Sequence, residues 1–401
     1  MIQPKNLIVN RHSWTPLLAV VLLATFLQGC VSIPKRNPVP DQLSEDAVIP
    51  GIQRARNWGD EKPAYTDTWM AKSKEDLQAE YPELFGRAHN YLAISGGGAN
   101  GAFGAGLLKG WAESGTRPEF DIVTGVSTGA LTAPFAFLGP EYDNVIEHIY
   151  TSYSTKDLVK KRKPISAVTS DALGNTEKLA DLIAEYMDDD LMKALADEHR
   201  KGRNLVIGTT NLDVERPVMW NIARIAASGE PFAYDLVRQI ILASASIPVA
   251  FPPVVIEVEV DGRQYDEMHV DGGTASQVFL YPAGIPWDKV LEKLEVPGAP
   301  NVFVIRNSRL DPKAAAVNRK LFPIANRTID SLIRSQGIGD LYRIFALTKR
   351  DGLEFHLAYI PRDFDEMPTE IFDPVYMRKL FDLGYEMARS GYEWQKAPPD
   401  F

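Results

Sequence analysis

Tyr91-Leu92-Ala93-Ile94-Ser95 runs directly into Gly96-Gly97-Gly98-Ala99-Asn100-Gly101, and small and apolar residues then continue at helical spacing to Trp111. A short apolar strand, a turn built largely of glycine and a helix make one unit. Successive glycines let the backbone reverse sharply and aim several N–H groups at one point above a helix N-terminus, a setting for a phosphate or a developing oxyanion. A second unit follows. Residues 120–124 read as a strand, Gly125-Val126-Ser127-Thr128-Gly129 as the turn, and an apolar helix starts at Ala130. Residues 205–208, 254–260 and 302–305 read as further strands, and 355–360 as a late one. Strands alternating with helices predict an α/β protein in three layers, α/β/α, around a mostly parallel sheet covered on both faces.

The 401 residues carry 43 Lys and Arg against 53 Asp and Glu, a net charge of −10. That balance argues against nucleic acid as a partner. The chain has one cysteine, which excludes an intramolecular disulfide and a Cys-rich zinc site. Its position is informative. Lys5 and Arg11 precede an apolar run over 17–27 that is short for a membrane span and ends in Leu27-Gln28-Gly29-Cys30. This resembles a bacterial lipobox, although Gln28 departs from the small residue usual there. The resemblance implies a signal peptide over 1–29, lipidation of Cys30 and a membrane anchor. Val31-Ser32, with no Asp beside the cysteine, favours the outer membrane, with the protein facing the periplasm.

Four regions are expected: the signal peptide at 1–29, a spacer with a short helix at 30–88, a catalytic domain at 89–290 and a C-terminal α/β extension at 291–401 packed on the same domain. The stretch from 31 to 64 is rich in Pro and charge and lacks apolar periodicity, hence a spacer. Ser73-Lys74-Glu75-Asp76 resembles a capping box. A long amphipathic region over 314–347 mixes Leu321, Phe322, Ile324, Leu332 and Ile333 with Arg319, Lys320, Arg327 and Arg334, the pattern of a half-exposed surface helix or one lying on an anionic bilayer. Asp373-Pro374 opens a final helix with Met377, Leu380, Phe381, Gly384 and Ala388 on one face, read as core packing.

Chemistry is read in three segments. The loop at Gly96, Gly97, Gly98 and Gly101 also fits a dinucleotide fingerprint, but the second strand ends in Gly125 and Ser127 rather than an acidic residue. Gly125-Val126-Ser127-Thr128-Gly129 fits G-x-S-x-G, in which Gly125 and Gly129 relieve the clashes of a strained turn that exposes the Ser127 hydroxyl. His269-Val270-Asp271-Gly272-Gly273 closes an alternating run. Just upstream stands Ala243-Ser244-Ala245-Ser246-Ile247-Pro248, small residues that pack closely on the sheet and whose chemistry the residues do not disclose.

In this order, Gly-Gly-Gly-x-x-Gly, G-x-S-x-G, Ala-Ser-x-Ser-x-Pro and Asp-Gly-Gly resemble the patatin-like phospholipase family over residues 91–285. The C-terminal part is similar to the extension of bacterial patatin-like lipoproteins. The resemblance implies a Ser–Asp dyad without histidine: Ser127 as nucleophile, Asp271 as general base, and an oxyanion hole from the amides of Gly96, Gly97 and Gly98, with Gly272 and Gly273 completing the Asp-Gly-Gly motif. It further implies lipid acyl esters as substrates and no cofactor. Asn100 stands where many members carry Arg or Lys, so a preference for anionic head groups is not implied.

A full triad is the nearest rival, since Ser127, Asp271 and His356 follow the chain order of α/β-hydrolases. His356, however, alternates within Leu353-Glu354-Phe355-His356-Leu357 as a strand residue, and His269 is read as a supporting group. His89, His148 and His199 lack metal-ligand spacing, so no metal is expected. Leu131, Pro134, Phe135, Phe137 and Leu138 suit an acyl pocket or a core equally. A non-catalytic fold serving as a binding or assembly module is the alternative from another class.

Overall fold

The computed structural model describes residues 36–161, 172, 174–314 and 316–400. The apolar run at 17–27 and Cys30 lie outside the described residues. Nine strands form one sheet: β1 Arg56–Trp58, β2 Asn90–Ile94, β3 Ile122–Val126, β4 Asn204–Asn211, β5 Arg216–Asn221, β6 Val254–Val260, β7 Arg263–Asp271, β8 Asn301–Arg306 and β9 Glu354–Tyr359. Five of them, in the order β4-β3-β2-β8-β9, are parallel. β5 and β1 extend the β4 edge antiparallel, and the β6–β7 hairpin joins the far end of β4.

Side chains along the parallel strands are nearly all buried and enter two apolar clusters in alternation, as a sheet covered on both faces requires. Leu92 and Ile94 of β2 and Phe303 and Ile305 of β8 enter one apolar cluster, whereas Tyr91, Ala93, Val302 and Val304 enter the other. The first face is covered by α1 Gly101–Glu113, α2 Thr128–Leu138, α3 Asp143–Ser152, α4 Glu177–Tyr186, α5 Ala233–Ser244 and the late helix α7 Pro374–Ala388. The second is covered by the C-terminal half of α6 Leu321–Asp351, through Leu341, Ile344 and Leu347. Nearer its start α6 leaves Ile324, Ile329 and Leu332 exposed, so the amphipathic reading holds only piecewise along this helix.

The C-terminal hundred residues are continuous with the rest of this body. β8 pairs with β2, and α7 packs on α1 so closely that a Cβ at Gly106 would lie 1.9 Å from the Phe381 carbonyl oxygen. Asp373 caps α7 by accepting from the amides of Val375 and Tyr376.

The spacer assignment is corrected for residues 38–64. Ala47, Ile49, Ile52, Ala55 and Trp58 are buried in the main core, β1 pairs with β5, and Val48 exchanges backbone hydrogen bonds with Glu259 of β6. These apolar residues are separated by Pro, Gly, Gln, Arg and Asn without a regular period, so only the partner surface makes their burial legible. The helix Lys74–Glu80 is capped as expected, Ser73 Oγ accepting from the Asp76 amide.

Candidate active site

β3 delivers Ser127 into the turn that starts α2. Its φ of 56° and ψ of −122° place a non-glycine residue in a strained region, a conformation that persists only where the surroundings enforce it. Three contacts do so. The Ser127 amide donates to Ser244 Oγ at 3.0 Å, and the Ser244 hydroxyl donates in turn to the Gly208 carbonyl at 2.7 Å. The Ser127 carbonyl accepts from Ala130 and so begins α2. On the other side Gly129 sits against β2, where a Cβ would be 2.3 Å from the Ile94 oxygen.

The register of β4 brings Asp271 to the same point. Val126, the last residue of β3, pairs with Gly208, and the next residue of β4, Thr209, pairs with Asp271 of β7. β3 and β7 therefore meet end to end along one edge of β4, and Ser127, which follows β3, becomes a neighbour of Asp271, the last residue of β7. Asp271 is 5% exposed; its amide donates to the Ser246 carbonyl at 2.9 Å, and its Oδ1 accepts from the Gly273 amide at 2.7 Å. Burial pushes its carboxyl up to about 7, against the opposing pull of hydrogen bonds from the Ser127 hydroxyl and the Gly273 amide.

Ala243-Ser244-Ala245-Ser246 thus fastens both groups: the Ser244 side chain holds the backbone of Ser127, and the Ser246 carbonyl holds that of Asp271. The two serines were visible in the sequence, but no spacing rule assigns such a role to them.

The glycine loop needs a correction. The Gly96 amide donates to the Gln277 carbonyl at 3.0 Å and is not available as an oxyanion donor. Among the described residues the amides of Gly97 and Gly98 donate to no protein acceptor, and these two remain. Ser95 Oγ (2.7 Å) and Arg306 Nη1 (3.3 Å) both donate to the Gly96 carbonyl. Because the C=O and N–H of a trans peptide point to opposite sides, this double anchor turns the Gly97 amide the other way. Gly97 must be glycine: a Cβ would lie 2.3 Å from the Asn307 oxygen. Gly101 opens α1, and Gly272 and Gly273 form the short turn after Asp271. Asn100 accepts from the Tyr376 hydroxyl of α7 at 2.7 Å. A cation nonetheless stands behind the loop, from a residue the sequence did not single out. Arg306, at the end of β8, is 1% exposed, and desolvation pushes its guanidinium down to about 10.

An apolar pocket of ≈ 850 Å³, counted with its open mouth, is lined by Ser127 and Gly98 together with Leu131, Phe135, Ile183 and Met377. Of the apolar residues read along α2, Leu131 and Phe135 line this pocket, while Phe137 is buried in the core and Leu138 packs against it.

The histidines stand apart. His269 Nδ1 pairs with Thr209 Oγ1 and Nε2 with Glu267, whose carboxylate is held at about 2 although burial alone would raise it; the nearby His269 and Arg56 supply the opposing pull. His356 lies on β9, three strands from β3, paired with Asn301 and Lys396. His89 pairs with Tyr91 and the Leu84 carbonyl, and His148 with Ser152. Among the described residues no group of three His, Cys, Asp or Glu could hold a metal ion.

The strained strand-to-helix turn thus sets Ser127 against the buried Asp271 carboxylate at the C-terminal edge of the parallel strands. The model of the patatin-like phospholipase family matches residues 92–283 and supports a patatin-like domain there. Such a domain points to lipid acyl hydrolase activity. Among solved structures, the crystal structure of VipD from Legionella pneumophila is similar at 14% identity and a TM-score of 0.37, over 75% of this chain and 66% of that one. The chain therefore spans slightly less than two thirds of that protein. No curated protein sequence matches.

Proposed function

We propose that this chain is a membrane-anchored serine lipid acyl hydrolase, of phospholipase A, lysophospholipase or esterase type, working through Ser127 and Asp271. The observation that carries the reading is the meeting of a strained Ser127 with a buried Asp271 of raised pKa at the mouth of an apolar pocket. A serine hydroxyl attacks an ester only if a base takes its proton as the bond forms. A carboxyl near 7 is far better matched to that task than an exposed one near 4. Ser127 Oγ attacks the ester carbonyl carbon and its proton passes to Asp271. The oxyanion is received by the amides of Gly97 and Gly98, each such donor contributing about 3 kcal/mol. Collapse expels the alcohol, which takes the proton from Asp271, and leaves an acyl-serine. Water, deprotonated by Asp271, then releases the acid and restores Ser127.

Cys30 carries the anchor in this reading, and each buried methylene of its acyl chains adds ~0.8 kcal/mol to membrane attachment. The basic Lys5 and Arg11, the apolar run and the Leu-Gln-Gly-Cys sequence support an outer-membrane lipoprotein facing the periplasm. The substrate is then an acyl ester of the surrounding lipid.

A fluorophosphonate probe labels the wild type and fails to label Ser127→Ala. Labelling that survives this substitution refutes the nucleophile assignment, and a wild type that is never labelled leaves only a binding module. Lipid mass spectrometry of cells carrying either form identifies the ester that accumulates. Membrane fractionation of Cys30→Ser, with release into the soluble fraction expected, tests the anchor separately.

A further inference from the structure

A second and larger cavity opens at the other edge of the sheet. Tyr91, Ile122 and Asn204, at or beside the starts of β2, β3 and β4, line it, whereas Ser127 follows the end of β3. From Asp121 in its wall to Ser127 the chain runs six mostly extended residues, roughly 20 Å. The cavity measures ≈ 1210 Å³ with its mouth, and Arg54, Tyr65 and Trp69 of the N-terminal segment form one side of it. The segment expected to be a spacer is thus a wall of this chamber.

Most of the lining is apolar. Tyr281 and Trp287 stack at 4.5 Å, Tyr91 meets Trp287 edge-on at 5.8 Å, and Trp69 meets Tyr81 edge-on at 6.1 Å, with Leu84, Val290 and Leu294 beside them. At one place the character changes. The half-buried Arg224 reaches the cavity, and among the described residues its guanidinium makes no hydrogen bond and no ion pair. The neighbouring Arg54 is held by Glu80 at 3.4 Å and lies over the Tyr65 ring at 5.3 Å. Asp121, the acidic residue of the lining, is already paired with Arg87. The positive field is felt nearby: burial first, and then Arg224, hold His199 down to about 4.

A half-buried guanidinium facing an apolar cavity without a counter-charge is open to an anionic partner, and a carboxylate answers it with two parallel hydrogen bonds. An aromatic and aliphatic chamber with one unsatisfied cation fits a ligand with an apolar body and a single anionic head. We propose that this cavity is a second ligand site, separate from Ser127, that takes a single-chain anionic amphiphile of the fatty-acid class, its head group on Arg224 and its chain among Trp69, Tyr81 and Trp287. The site depends on the cavity alone and stands whether or not Ser127 is a nucleophile.

The test uses the full chain in its membrane, with Ser127→Ala beside the wild type so that turnover plays no part. A photoreactive diazirine fatty acid is added, cross-linked and mapped by peptide mass spectrometry. Adducts within residues 63–84 and 281–294 are expected in both forms, distinct from adducts in the acyl pocket around residues 131–135 and 179–187. Arg224→Gln lowers the former by about tenfold, the size of one lost charge-assisted hydrogen bond, and leaves the latter unchanged. The matching diazirine alcohol, which has no charge, labels the second cavity as weakly in wild type as the acid does in Arg224→Gln; this comparison decides the matter even if Arg224→Gln fails to fold. A lysophosphatidate analogue labelling more strongly than the acid assigns the head group as phosphate within the same class. Adducts confined to the acyl pocket, or equal labelling by acid and alcohol, overturn the proposal.

Discussion

Asp271→Asn is expected to make the protein inactive and, above neutral pH, more stable. Asp271 is 5% exposed, and its carboxyl is raised from an ordinary 3.8 to about 7, chiefly by burial. At about 1.36 kcal/mol per pH unit, keeping it ionised in the fold costs ~4 kcal/mol. Between pH 4 and 7 the folded chain holds a proton on this group that the unfolded chain has released. Stability therefore falls as pH rises through this window, by ~1.4 kcal/mol per unit, and the full loss is present above the folded pKa. Asparagine is nearly isosteric, still accepts from the Gly273 amide and never ionises. Urea titrations at pH 5 and pH 8 should show wild type losing most of this ~4 kcal/mol relative to Asp271→Asn. On the kinetic side, wild-type kcat/KM on a chromogenic ester should rise tenfold per unit up to about 7 and then level, as a base with that pKa requires. The variant should lose about 10²–10⁴-fold. A variant no more stable than wild type at pH 8, together with a flat rate profile from pH 5 to 8, would refute the assignment of a buried base of raised pKa.

Ser244→Ala leaves the Ser127 amide without its acceptor. It should lower stability by about 1–3 kcal/mol and lower kcat with little change in KM, measured by denaturation and steady-state kinetics. Gly97→Ala forces a Cβ to 2.3 Å from the Asn307 oxygen, and the resulting shift of the loop should abolish turnover, while fluorophosphonate labelling of Ser127 slows in step. Leu131→Trp fills the pocket beside Ser127, so a series of p-nitrophenyl esters should show activity on long acyl chains falling well before that on acetate or butyrate.

How far the sequence discloses this molecule depends on the range of each signal. The strand–glycine–helix units are local, and β2, β3, α1 and α2 stand where residues 91–138 indicated. Ser127 and Asp271 were readable as candidates because their motifs are local too. What joined them was the stagger of β4, which pairs with β3 up to Gly208 and with β7 from Thr209 onward, and no run of residues announces a register. The same holds for Arg306, an arginine in an apolar strand whose meaning comes from the carbonyl of Gly96 far away in sequence. Residues 38–64 failed for the opposite reason. Their composition is that of a linker, and the sheet edge overrides it by offering β5 and β6 as partners.

The placement of β8 bears on how small a working fragment could be. A chain cut at 283, where the family match ends, keeps Ser127, Asp271 and the glycine turn, yet it strips β8 from β2. The middle one of the five parallel strands then becomes a bare apolar border, open to pairing with a stranger. The same cut removes Arg306 and Asn307, which grip Ser95 and Gly96 from behind. Such a truncation should aggregate, and its failure would say nothing about the chemistry of the serine it still carries.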